Sequence, residues 1–269
     1  MTGQIDSRQW PIDGHVHFHR PALVPRTLDA AAANFRRMRP DRRGLLGALL
    51  LCQSASERVF EHLAERSSIG DWQLERAPGE PETLFAHKDG ARVAVVCGRQ
   101  VRASGGLEVV ALGTCREFAD GAAFTETLER VRASGAFAVI PWGFGKWLGK
   151  RGQMVADSLR ALGPGKVAVG DNGSRLALIS TPALISASAH QGFRVLPGTD
   201  PFPFAGDYGR VGRFGFLTDA PLDEQAPWRA LRAWLESRAE SPRTFGEASG
   251  LVRFVVNQVG IQFYNRLFA

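Results

Sequence analysis

The chain has 269 residues, 44% hydrophobic and 22% charged, with a formal net charge of +6. That length suits one α/β domain with a large core, and no apolar run nears the ~18 residues of a membrane span. The charge does not read as a nucleic-acid surface: only four of the 33 basic residues are lysine, the arginines are scattered, and clusters such as Arg36-Arg37 and Arg42-Arg43 are short. Met1-Thr2-Gly3-Gln4-Ile5-Asp6 has neither the basic start nor the apolar centre of a secretory leader. Cys52, Cys97 and Cys115 are widely spaced and read as buried thiols of a cytoplasmic protein, not as a disulfide frame.

Residues 10–18 form the first expected strand. Alternate side chains of a strand share a face, so His15, His17 and His19 fall on one side and Val16 and Phe18 on the other. Imidazoles two apart at a strand end can both reach one divalent ion; the same alternation also describes an ordinary half-buried strand. Residues 28–38 have helical spacing, with Leu28, Ala31, Ala32 and Phe35 on one face. Residues 45–52 are a continuous apolar run, as in a strand covered on both faces. Ser54-Ala55-Ser56-Glu57 offers a helix start, followed by the apolar stripe of Val59, Phe60 and Leu63.

Residues 71–98 depart from this rhythm and read as a small antiparallel excursion. Its hairpin turn is Lys88-Asp89-Gly90, with His87 beside it on the surface. Strands are then expected at 107–112, 137–141, 167–170 and 193–197, and helices at 123–133, 154–162 and 182–190. After Asp219 the pattern is helical, at 228–238 and 246–267. Strand–helix repeats of this length imply a parallel sheet or barrel, with chemistry at the carboxyl ends of its strands.

Those ends are polar, glycine-rich or aromatic: Gln53, then Gly98-Arg99-Gln100, then Trp142-Gly143-Phe144-Gly145-Lys146-Trp147, then Asp171-Asn172-Gly173-Ser174-Arg175, then Thr199-Asp200-Pro201-Phe202. Asp171-Asn172-Gly173 is equally a plain turn, and Asp200 before proline a common turn starter. Glu108 reads as a solvent-facing strand residue. Trp142 and Trp147 are either core or a flat platform for a ligand ring. Lys146, Arg151 and Arg175 could supply charge for an anion.

Taken in order, these segments over about residues 11–205 resemble the PHP family (polymerase and histidinol phosphatase) of metal-dependent hydrolases. Asp13-Gly14-His15-Val16-His17 looks like the family's opening His-x-His. Gly98-Arg99-Gln100-Val101 looks like the strand that carries its bridging glutamate. Ala138-Val139-Ile140-Pro141-Trp142 looks like the strand ending in a family histidine, and Gly198-Thr199-Asp200-Pro201-Phe202 like the last Gly-Ser-Asp-x-His. The resemblance implies a distorted (β/α)7 TIM-like barrel. Around it would go the small antiparallel excursion and C-terminal helices, all in one domain over 1–269 with about 220–269 as a helical extension. It further implies phosphoester hydrolysis.

The chain departs from the pattern at Gln100, where glutamate is expected, and at Trp142 and Phe202, near or at histidine positions. The family's Asp-His after strand two is replaced by the Cys52-Gln53 region. What remains, His15, His17 and Asp200, could hold one zinc, manganese or iron ion, with Asp171 or His19 completing the set. Asp171 or Asp200 would act as base, and Trp142, Lys146, Arg175 and Gln100 would contact a small anionic substrate. The alternative reading is a catalytically inactive barrel of the same kind that binds a small molecule without metal. A third is a scaffold whose late helices, 250–267, pair in a homodimer. Membrane and nucleic acid are not expected partners.

Overall fold

The computed structural model describes residues 9–143, 145–173, 182–204, 206–220, 223–238 and 240–248. The first strand, β1 (Trp10–Val16), leads through α1 (Val24–Met38) to β2 (Gly44–Leu51) and then α2 (Val59–Ala64). Four antiparallel segments follow: β3 (Ser68–Ile69), β4 (Trp72–Arg76), β5 (Thr83–Lys88) and β6 (Ala91–Val96). Asp89 and Gly90 turn the last hairpin with φ of 48° and 71°, the left-handed pair that a two-residue hairpin needs. Next come β7 (Gly98–Arg102), β8 (Glu108–Leu112), α3 (Phe124–Ala133), β9 (Phe137–Pro141), α4 (Lys150–Leu162) and β10 (Ala168–Asn172). The chain ends its described part with α5 (Ala183–His190), β11 (Val195–Gly198), β12 (Phe214–Thr218), α6 (Pro227–Ser237) and β13 (Thr244–Gly246).

These strands make two mixed sheets, and among the described residues no barrel closes. One sheet has eight strands in the order β13-β12-β1-β2-β6-β5-β4-β3, the other five in the order β11-β10-β9-β8-β7. The expected seven-fold β/α barrel is therefore corrected, and the reason lies in the connections. A parallel neighbour needs a long crossover, whereas strands joined by short loops pair antiparallel. Here β5 and β6, and β7 and β8, are joined by short loops and pair antiparallel, and β8 with β9 (despite α3 between them) and β12 with β1 are antiparallel as well. The β5–β6 hairpin docks on β2 and carries that sheet outward. Only the single bridge Gln53↔Arg99 touches β7 from that side. In the expected helical extension, α6 matches the helix expected at 228–238, and the short β13 that follows pairs with β12. The helix expected at 246–267 otherwise lies outside the described residues.

Three apolar clusters hold the layers together. Phe35, Leu28, Leu49, Phe60 and Trp72 pack α1 and α2 against the eight-stranded sheet. Trp10, Leu50, Val96, Leu112, Val139 and Phe216 fill the space between the sheets, with Trp228 of α6 against them. Val109, Leu128, Ile140, Leu159 and Ile185 join the five-stranded sheet to α3, α4 and α5. Each fully buried side chain of this size contributes ~1.5–3 kcal/mol. In β9 the alternation is visible directly, Val139 facing the sheets and Ile140 the helices.

At one corner the two sheets nearly touch. The Asp200 amide donates to the His15 carbonyl at 2.8 Å. A Cβ on Gly198 would lie 2.2 Å from the His15 amide nitrogen, and one on Gly14 would lie 2.5 Å from the Pro197 carbonyl oxygen. Only glycine permits that approach of backbone to backbone. No helix among the described residues is long and apolar enough to cross a membrane.

Candidate metal centre

A β-bulge aims the histidines. Along β1, Asp13 pairs with Leu49 but Val16 with Leu51, so one extra residue sits between them. A bulge of this kind re-aims the side chains beyond it. Ile12 thus faces the space between the sheets while Val16 and Phe18 enter the α1 cluster. His15 and His17 turn to the corner where β1 meets the end of β11, and there they meet Asp200.

The ligand atoms of His15, His17 and Asp200 all lie within 4.8 Å of one another. His15 Nε2 is 3.1 Å from His17 Nε2, and the Asp200 carboxylate oxygen Oδ1 is 3.7 Å and 3.5 Å from them. Donors held at 2.0–2.1 Å from one tetrahedral ion are about 3.4 Å apart. Two imidazoles and a carboxylate therefore fit a single zinc-like ion both in spacing and in ligand type.

The residues behind this triangle are fixed. Asp13, fully buried, accepts from the Thr199 amide (2.8 Å), the Thr199 hydroxyl (2.6 Å) and the Gly212 amide (2.9 Å). It ties the bulge to the segment before Asp200. Asp200 has a φ of 45°, an uncommon conformation outside glycine that Asp tolerates better than most. Its Oδ2 accepts from Asn172 Nδ2 at 3.1 Å. Glu57 closes the other side, with Oε2 3.9 Å from His17 Nδ1 and Oε1 3.4 Å from His19 Nδ1.

Electrostatics divide the two imidazoles. Burial dominates at His15 and pushes its pKa down to about 4, with Asp200 opposing and His17 and Lys146 assisting. His17 is somewhat less buried, and Glu57, Asp200 and Glu108 together overcome its burial and raise it. Burial favours the neutral acid at Asp200, but His15, His17, Lys146 and the Asn172 amide outweigh it and hold the carboxyl below its usual range. At Asp13 burial wins over four hydrogen bonds and raises the pKa to about 6.

Of the residues singled out in the sequence, His15, His17 and Asp200 come together. Gln100 lies close enough to His15 to act on it, and its buried Oε1 has no hydrogen bond of good geometry. Lys146 acts on His15 and Asp200 while its Nζ holds Glu108 Oε2 at 2.5 Å. Glu108 is thus a partly buried partner of the site, not a solvent-facing strand residue. Asp171 is not part of the triangle: it and Asn172 are successive in β10, so they face opposite sides, and it is Asn172 that reaches Asp200. His19 has both nitrogens engaged, Nε2 with the Pro201 carbonyl at 2.7 Å and Nδ1 facing Glu57, and it supplies no fourth donor. Trp142 and Trp147 are buried in the helix-side cluster, so neither offers an open platform. Arg175 lies outside the described residues.

Glu57 and Asn172 are the site residues that sequence reasoning passed over. Both sat in motifs that were seen. Ser54-Ala55-Ser56-Glu57 reads as a capping box, and the Ser54 amide does donate to Glu57 Oε2 at 2.8 Å. Yet α2 begins only at Val59, which leaves the carboxylate free to face the histidines.

A second group, Glu61, Cys97 and Cys115, has ligand atoms equally close together. Its donors are engaged. Glu61 pairs with Arg99, and Gln53 Nε2 lies 3.5 Å from Glu61 Oε2 and 4.0 Å from Cys97 Sγ. Burial and the neighbouring Cys115 thiol push the Cys97 thiol up, away from the thiolate that a metal needs.

No protein-family model matches the chain, and no curated protein matches it.

Proposed function

We propose that the chain is a mononuclear metal-dependent hydrolase, a divergent relative of the PHP hydrolases in its donor motifs, acting on a phosphoester or another anionic small molecule. The observation that carries this reading is the His15–His17–Asp200 triangle. Its three edges match the spacing of ligands on one divalent ion, zinc, manganese or iron, and its donors come from the carboxyl ends of β1 and β11, where open α/β sheets place their ligands. An ion held there would acidify water and polarise a phosphoryl or carbonyl oxygen. Asp200 is the carboxylate placed to take a proton beside the ion, and Asn172 keeps it oriented. The Lys146 ammonium and the Gln100 amide flank the triangle as the groups that would meet an anion.

A cytoplasmic setting goes with this reading, since Cys52, Cys97 and Cys115 are all free. The metal-free alternative loses its main support, because the tryptophans that would form its binding wall are core residues.

Elemental analysis of the purified chain after reconstitution tests the proposal. About one equivalent of transition metal is expected, with most of it lost in Asp200→Ala. Less than ~0.1 equivalent in the wild type would overturn it.

A further inference from the structure

We infer that Glu57 is a positioning residue of this centre: it fixes the ring hydrogen of His17 on Nδ1 and so turns the Nε2 electron pair toward the ion. The inference rests on the metal reading above.

A neutral imidazole carries one hydrogen and one free electron pair, on opposite nitrogens. His17 Nε2 faces His15 Nε2 at 3.1 Å and Asp200 Oδ1 at 3.5 Å, while Nδ1 faces Glu57 Oε2 at 3.9 Å. With the hydrogen on Nε2, His17 would point its electron pair at a carboxylate, which has no hydrogen to give, and would present the ion with an N–H. With the hydrogen on Nδ1, the N–H points its positive end at the carboxylate across 3.9 Å, an electrostatic preference, and the ion has a ligand. Glu57 selects the second arrangement.

Glu57 is held for this task. Its Oε2 accepts from the Ser54 amide at 2.8 Å, and its backbone carbonyl accepts from Arg99 Nη1 at 2.7 Å. Arg99 is itself buried and paired with Glu61. The other carboxylate oxygen faces His19, whose ring stacks on His17 with centroids 5.3 Å apart and whose Nε2 donates to the Pro201 carbonyl, next to Asp200. Carboxylates set behind metal-binding imidazoles fix the tautomer and the ring orientation, and their removal typically costs 10- to 100-fold in metal affinity.

The test loads the full chain with Co(II) and measures affinity by chelator competition. It also records the proton NMR spectrum in H2O and D2O, where hydrogens on ligating imidazoles show as strongly shifted, exchangeable signals. The wild type should show two such signals, one each from His15 and His17. Glu57→Ala should bind about 10- to 100-fold more weakly, and one of the two signals should move or exchange away. Glu57→Gln, which keeps an acceptor oxygen and the side-chain volume, should restore most of the affinity and bring the signal back. Glu57→Met, which keeps the volume without an acceptor oxygen, should behave like Glu57→Ala, an outcome that loss of packing alone would not give, and it decides if Glu57→Ala does not fold. Affinity and both signals unchanged in Glu57→Ala or Glu57→Met would overturn the inference while leaving the metal reading intact. A wild type that binds no Co(II) would remove both.

Discussion

Among the described residues, two clusters bring three metal-type ligands within 4.8 Å, and they differ in what lies between the donors. In the Glu61–Cys97–Cys115 group the gaps are filled by the protein's own hydrogen-bond donors, Gln53 Nε2 and Arg99. In the His15–His17–Asp200 group the Nε2 atoms and Oδ1 face one another, and the surrounding donors and acceptors, Asn172 and Glu57, address the far sides of the rings and the carboxylate. Proximity alone does not make a site. A centre is marked by electron pairs that converge with nothing but each other to satisfy them, backed by groups that keep them so.

The largest effect that would sharpen this contrast is at Asp13. The folded-state pKa of His15 is about 4 against 6.5. Its contribution to stability is therefore complete above pH 6.5 and is lost as pH falls toward 4. Asp13 runs the other way: its folded pKa is about 6 against 3.8, so its contribution is complete below pH 3.8 and is lost as pH rises through 6. Each shift corresponds to about 3 kcal/mol, and between about pH 4.5 and 6 the two nearly cancel. Wild-type stability, measured by urea unfolding, should be nearly flat there. Asp13→Asn should expose the His15 slope, with stability falling by about 2 kcal/mol from pH 6 to pH 4.5. An unchanged slope would show that His15 is not held as a neutral, buried ligand.

Comparable in size is the effect of Gly198→Ala, whose new methyl would press on the His15 backbone. A cost of about 1–3 kcal/mol in thermal unfolding is expected, together with weaker metal binding as β1 and β11 part. Normal metal affinity in that variant would show that the donor geometry does not depend on this contact. Smallest is Cys115→Ser, which should change stability by less than ~0.5 kcal/mol and leave metal content as it was. A loss of bound metal there would reverse the ranking of the two clusters.

The elements themselves were legible. β9 falls at its expected bounds, and β2, α3 and α5 lie within a residue or two of theirs, because each is set by local periodicity and turn chemistry. The sheet order was not, because the partner of a strand is a long-range choice. Nothing near residue 214 announces that β12 will pair antiparallel with β1, and nothing in residues 83–96 says that their hairpin will extend β2. His15, His17 and Asp200 were legible through residue type and strand-end position. The histidine triplet misled in one respect: the strand was expected to run unbroken to Phe18, whereas β1 bulges after Asp13 and ends at Val16. Glu57 was hidden because its motif has two uses, and only the three-dimensional path of the chain decides between capping a helix and facing an imidazole.

The close approach of Gly14 and Gly198 also bears on how the centre comes into being. His17 and Asp200 are 183 positions apart in the sequence, and their meeting closes a loop of about two thirds of the chain. Contacts of such separation demand most of the ordering entropy before they return anything, and they tend to form late in folding. Neither half of the ligand set can capture an ion tightly alone. The site would remain blind to metal until the two sheets had docked, so that an ion arriving there would lock a fold already complete, not template one in progress.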